Sequence, residues 1–224
     1  MGHLHRRLIA FDLDGTLVDS SRDLADSVNE LLVELGAAPL ARAAVTKMVG
    51  EGAKTLIRRA LAASGIPERA DAIARFLAIY DTKLLDHTRP YAGIPDIVRA
   101  ARTHARVAVL TNKPLAPSEK VLAGLGMRDL FDDVIGSDGP YPRKPDPTAL
   151  RALMERAGAT PGRTLMVGDS RIDYETARSA ATRCCLVAYG FSHHTLEGVP
   201  TEEAWVAADP SALADVISRF VVTD

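Results

Sequence analysis

Apolar and polar positions along this chain fall into two rhythms. The first is a set of short, unbroken apolar runs: "LIAF" (8–11), "VAVL" (107–110), "DVIG" (133–136), "TLMVG" (164–168), "CCLVA" (184–188) and "AWVAA" (204–208). Continuous runs, as opposed to alternation, predict strands of a parallel sheet covered on both faces. The second is a set of amphipathic segments of helical length between those runs. They are "IPDIVRAARTH" (94–104), "PSEKVLAGLG" (117–126), "PTALRALMERAG" (147–158) and "IDYETARSAA" (172–181). Strand alternating with helix predicts an α/β architecture with a doubly wound parallel sheet.

One region breaks the alternation. From Ser20 to about His87 no segment reads as a strand. "RDLADSVNELLVELG" (22–36) reads as a helix whose stripe is Leu24, Val28, Leu31, Leu32 and Leu35, with Gly36 suited to the stop. "AVTKMVG", "AKTLIRRALAASG" and "ERADAIARFLAIYDTKLL" read as helical too, and "RPYAGIP" (89–95) reads as a return linker. The expected organisation is a Rossmann-like α/β core, 1–19 and 88–224, with an inserted all-helical cap domain, 20–87.

Composition changes this picture little. The 224 residues suit one domain with a large insert, and a formal net charge of −2 gives no electrostatic reason to expect nucleic acid or an anionic membrane as partner. No apolar run approaches the roughly 20 residues that span a bilayer, and the start, "MGHLHRR", carries no signal-peptide or lipidation pattern. The only cysteines, Cys184 and Cys185, are adjacent, which suits buried strand residues in a reducing compartment better than a disulfide or zinc site. A cytoplasmic protein, monomer or homodimer, is the expectation.

The chemistry lies at the strand ends, where open α/β sheets bind ligands. Asp12 and Asp14 follow the first run. Thr111, Asn112 and Lys113 follow the second, Lys144 lies in the Pro-rich loop after the third, and Asp169, Ser170 and Asp173 follow the fourth. A parallel sheet brings all of these to one edge. Four carboxylates in one crevice repel each other unless something positive intervenes. A hard cation does so, and Mg²⁺ favours a few carboxylates plus phosphate oxygens. Thr111, Asn112 and Lys144 supply donors for a phosphoryl group, with the N–H groups of the Asp12–Gly15 turn. Asp12 can bind metal and attack phosphorus. Asp14 can protonate the leaving oxygen and then take a proton from water.

"DLDGTLVD", "LTNK", the lysine of "RKPDP" and "VGDSRIDYETARSA" resemble, in order, the four motifs of the haloacid dehalogenase-like hydrolase superfamily. The resemblance covers almost the whole chain, including a helical cap inserted after the first motif. It implies a nucleophile at Asp12 and a general acid/base at Asp14. It further implies Mg²⁺ held by Asp12, the Asp14 carbonyl and Asp169, with help from Asp173, and phosphate contacts from Thr111, Asn112 and Lys144. "DLDGTLVDSSRDLADSVNELLVELG" followed by "MVGEGAKTLIRRAL" is similar to phosphoglycolate phosphatases, in which the loop matching Gly50-Glu51-Gly52 faces the site. Glu51 stands where that family often has a neutral residue, and an acid there disfavours an anionic substrate carboxylate. The expected partner is a small phosphorylated metabolite, and the expected activity is phosphomonoester hydrolysis.

Other activities fit the scaffold. A sugar phosphomutase of the β-phosphoglucomutase type keeps both aspartates, and pyrophosphate hydrolysis is open. Dehalogenases do not need Asp14, and phosphonate hydrolases need an activated cap lysine, for which Lys47 and Lys54 give no evident reason. A receiver-like phospho-acceptor needs neither Asp14 nor a cap. Lys113 reads equally as phosphate-site or solvent-facing. His193 and His194 read as an exposed loop, one of Arg58 and Arg59 as a solvated helix face, and Trp205 as packing.

Overall fold

The computed structural model describes residues 7–200 and 202–222; the leading segment 1–6, to which the reading of the start applies, lies outside them. All six apolar runs form strands of one parallel sheet. They are β1 (Leu8–Phe11), β4 (Arg106–Leu110), β5 (Asp133–Ile135), β6 (Thr164–Gly168), β7 (Arg183–Val187) and β8 (Trp205–Ala207). Their order is β5-β4-β1-β6-β7-β8, and every neighbouring pair is parallel. The chain therefore builds outward from β1 to one side, then returns to the other side of β1 with β6. The switch point lies between β1 and β6, where such sheets open a crevice at their carboxyl ends.

Continuous apolar runs are used on both faces. Ile9, Phe11, Val107, Val109, Val167 and Cys185 pack toward α5 (Ile94–Ala101) and α9 (Pro210–Val222). Leu8, Ala10, Ala108, Leu110, Met166 and Cys184 pack toward α7 (Thr148–Ala157) and α8 (Arg171–Ser179). Both cysteines are free and buried, one on each face. α6 (Leu115–Gly124) completes the alternation. α9 extends beyond the last expected strand; its stripe Leu213, Val216, Ile217 and Phe220 is helical in period.

Between β2 (Val18–Asp19) and β3 (Arg89–Pro90) lie four helices: α1 (Ser21–Glu34), α2 (Arg42–Thr46), α3 (Ala53–Ala63) and α4 (Ala72–Lys83). The predicted α1 stripe is buried at Leu24, Val28, Leu31 and Leu32, and α1 packs on α2, α3 and α4. The segment expected only as a linker instead pairs with the outgoing chain: β2 and β3 are antiparallel, Val18 opposite Pro90 and Asp19 opposite Arg89.

A buried carboxylate secures this doorway. Asp23, on α1, accepts hydrogen bonds from the backbone N–H of His87 (3.0 Å) and Thr88 (2.7 Å) and from the Thr88 hydroxyl (2.7 Å). Asp23→Ala leaves the N–H and hydroxyl of buried Thr88 without their acceptor, and each such loss costs about 1–3 kcal/mol. A drop of about 3 kcal/mol is expected, or roughly 6–12 °C in Tm. Thermal unfolding checks it; an unchanged Tm would mean that water replaces the carboxylate.

Candidate active site

Asp12 directly follows β1, and its N–H donates to the Val167 carbonyl at 2.8 Å, so the β1–β6 ladder runs on into the site. The chain then turns sharply: the Leu13 carbonyl accepts from the N–H groups of Thr16, Leu17 and Val18. Gly15 makes the turn possible. It has φ +88°, and a Cβ there would lie 2.2 Å from an Asp169 carboxylate oxygen. Gly168, ending β6, allows a similar approach, since a Cβ there would lie 2.1 Å from the Asp173 carboxylate carbon.

Asp12, Asp169 and Asp173 converge, with one carboxylate oxygen from each within 4.8 Å of the others. Lys144, itself buried, bridges two of them: its Nζ lies 2.9 Å from Asp12 Oδ1 and 2.5 Å from Asp173 Oδ1. Asp173 also closes a capping box on α8, accepting from the Ser170 hydroxyl (2.6 Å) and N–H (3.2 Å). Capping and participation in the acidic cluster thus coexist at Asp173. Asp169 accepts from the Ser192 N–H at 2.8 Å.

One ammonium among three buried carboxylates leaves the cluster short of positive charge. Burial raises the Asp12 pKa most; Lys144 draws it back, Asp173 pushes it up again, and the result is about 6. Burial, then Asp12 and Asp173, hold Asp169 well above the ordinary carboxylate range. Burial works against the Lys144 ammonium, but Asp12 and Asp173 outweigh it and raise its pKa above the usual lysine value. A hard divalent cation suits this donor set of close, buried carboxylate oxygens.

Asp14 does not join the cluster with its side chain. Its carboxylate accepts from the Ser20 hydroxyl at 2.6 Å and from Lys113 Nζ, 3.1 Å from each oxygen. Lys113 is buried, not solvent-facing. The Thr111 hydroxyl accepts from the Lys113 N–H at 3.2 Å. Asn112 spends its amide donor group on two carbonyls, those of Lys144 and of Gly50 in the helical insert, each at 3.1 Å.

A cavity of about 50 Å³ lies over these groups, bounded by Asp12, Asp14, Thr111 and Lys113 below and by Leu56 and Tyr80 of the insert above. Glu51 does not line it. Its carboxylate pairs with Arg59, and both face a separate cavity of about 280 Å³. The acid expected to oppose an anionic substrate is thus neutralised and turned aside. Arg58 is exposed, as are Lys47, Lys54 and His194; the His193 side chain lies outside those described. Trp205 packs against the core beneath the Arg183 guanidinium.

Sequence reasoning missed Ser20, Tyr80 and Ser192. Ser192 had a signal, since it follows β7 at the same sheet edge. Tyr80 had only a weak one, a polar tip on the apolar face of α4.

Fold and site together define a class: an α/β protein with a carboxylate–lysine cluster at the switch point of its sheet and helices inserted after the first strand. Residues 6–181 match the family model of haloacid dehalogenase-like hydrolases, and the chain belongs to that family. It is 43% identical over 195 residues to a phosphoglycolate phosphatase of Rhodospirillum rubrum, covering 83% of this chain and 81% of that one. It is 39% identical over 218 residues to a phosphoglycolate phosphatase of Cereibacter sphaeroides, covering 95% and 98%. Among solved structures, a predicted phosphoglycolate phosphatase from Haemophilus somnus 129PT superposes with a TM-score of 0.85 at 28% identity, covering 97% of this chain and 99% of that one.

Proposed function

We propose that this chain is a Mg²⁺-dependent phosphatase that hydrolyses a small phosphomonoester through an aspartyl-phosphate on Asp12. By family and relatives it is a phosphoric monoester hydrolase. The observation that carries the finer reading is the convergence of Asp12, Asp169 and Asp173 around Lys144, with Asp14 two residues from Asp12 under a shared cavity. The names of the relatives direct the substrate choice to 2-phosphoglycolate, and the Glu51–Arg59 pair removes the electrostatic objection to it. Residues 20–87 act as the cap in this reading, and 1–19 with 88–224 as the core.

In this site Asp12, Asp169 and Asp173 would hold the cation, which supplies charge to offset the phosphoryl oxygens. The Asp12 carboxylate attacks phosphorus while Lys144 steadies one of its oxygens. Asp14 must enter this step protonated; it gives that proton to the leaving oxygen as the bond from that oxygen to phosphorus breaks. It then takes a proton from the water that attacks the aspartyl-phosphate, which frees Asp12 and phosphate. Thr111 and Asn112 border the phosphoryl position from the end of β4. The insert seats over the cavity and limits competing water. We place the reaction in the cytoplasm, since the two free, buried cysteines suit a reducing compartment; separately, among the described residues no helix is long and apolar enough to cross a membrane.

Phosphate release from a panel of small phosphorylated metabolites, 2-phosphoglycolate included, tests the reading. Excess chelator is expected to abolish turnover and Mg²⁺ to restore it. Full turnover in chelator would overturn the metal role.

A further inference from the structure

We propose that Tyr80, on α4 of the insert, is a positioning residue for proton transfer: through Lys113 it fixes the Asp14 carboxylate beside Asp12. This rests on the phosphatase reading above and extends it to a residue far from the four motifs in sequence.

The geometry is specific. Lys113 Nζ has three N–H donors and three close acceptors: Asp14 Oδ1 and Oδ2, each at 3.1 Å, and the Tyr80 hydroxyl at 2.5 Å. The same ammonium lies 4.4 Å from the Tyr80 ring centroid. That ring stacks on Phe76 of the same helix, centroids 5.7 Å apart and planes 8° from parallel. Both aromatic residues are buried, as is Lys113. An unbranched lysine stem does not by itself aim its ammonium. Here the direction is set by a rigid aromatic anchor in the insert, and the ammonium in turn holds both oxygens of Asp14. Ser20 holds only Oδ1, at 2.6 Å, so it cannot fix the plane of the carboxylate alone. The insert thereby reaches the proton-transfer group through Tyr80 and Lys113.

The test separates positioning from substrate contact and from general packing. Tyr80→Phe keeps the ring, its stacking and its face toward Lys113 and removes only the hydroxyl. With an alkyl phosphate, whose leaving group needs a proton, kcat is expected to fall about 10–100-fold. With p-nitrophenyl phosphate, whose leaving group needs little protonation, Asp12 should still be phosphorylated at near the wild-type rate. Hydrolysis of that intermediate should slow, because water must still lose a proton. Rapid quench would show a phospho-enzyme burst in the variant, resembling a weaker form of Asp14→Asn. If Tyr80 acts through Lys113, Tyr80→Phe should add nothing in a Lys113→Met background.

Three results with the single variant would overturn the proposal: wild-type kinetics with both leaving groups, a rise in KM alone, and an equal fall in kcat for both substrates without a burst. Multiplicative effects in the double variant would point instead to direct contact between Tyr80 and substrate. Failure of the phosphatase reading looks different: wild type itself would show neither Mg²⁺-dependent turnover nor a phospho-enzyme.

Discussion

Asp12→Asn is expected to lower phosphate release by roughly 10³-fold or more while making the metal-free protein more stable above pH 6. The two effects have one origin. Asp12 is buried next to Asp173, and even with Lys144 at 2.9 Å its pKa stands at about 6, above the ordinary 3.8. A carboxyl group whose folded pKa is raised contributes stability that is fully present below its unfolded pKa and is lost as pH rises through the folded value. For Asp12 that window runs from about pH 4 to about pH 6. Asn mimics the neutral carboxyl at every pH and cannot attack phosphorus. In chelator, therefore, variant and wild type should melt together near pH 4, and the variant should melt a few degrees higher at pH 8. Mg²⁺ should close or reverse the gap, because it binds the folded wild type and stabilises it by mass action. Near-normal turnover in Asp12→Asn would instead mean direct attack by water. A variant less stable than wild type at pH 8 in chelator would mean that the Lys144 attraction exceeds the cost of burial.

Much of this site was legible because its parts obey a topological rule. Asp12, Thr111 and Asp169 each follow an unbroken apolar run, and parallel strands must present those ends together. Its place in the sequence then set Asp173 in the first turn of α8, where a cap and a member of the acidic cluster can be the same side chain. Adjacent cysteines on β7 met opposite faces, as the strand period requires.

What stayed hidden depends on contacts that no local pattern encodes. β2 and β3 are two residues each, too short for a period, and they exist because the outgoing and returning chains meet at the doorway of the insert. Burial of Lys113 depends on which helix of the insert lies above the β4 loop, and so on Tyr80. The side chain of Asn112 reads from sequence as a phosphate donor, yet its N–H₂ group bonds the carbonyls of Gly50 and Lys144. In this geometry its side chain clamps the insert loop to the lysine loop. Glu51 shows the same limit. Its charge was plain, but its Arg59 partner, two turns away across the loop and α3, decides where that charge points.

Lys144→Met should show the opposite stability sign from Asp12→Asn, with a large but smaller loss of function. The lysine side chain is 3% exposed and lies within 2.9 Å of Asp12 and 2.5 Å of Asp173. Removing it strands three carboxylates, clustered within 4.8 Å, without a protein cation. Breaking a buried ion pair by deleting one partner typically costs about 3–5 kcal/mol, which for a chain of this size is roughly 6–20 °C in Tm. The deficit should be largest at pH 8 in chelator and should shrink near pH 5, where the raised pKa values of Asp12 and Asp169 let protons take over from the ammonium. Mg²⁺ should raise the Tm of the variant more than that of wild type, since the cation then offsets charge that Lys144 no longer offsets. Turnover should still fall about 10²–10³-fold in saturating Mg²⁺, because a fixed positive charge beside the phosphoryl group is lost and the metal does not replace its position. Combining Asp12→Asn with Lys144→Met removes one excess charge and should recover part of the lost stability without recovering activity. Differential scanning calorimetry at the two pH values, with and without Mg²⁺, reads all four comparisons. Equal melting of Lys144→Met and wild type at pH 8 in chelator would show that the acidic cluster is not balanced by this lysine, and the site would need another source of positive charge.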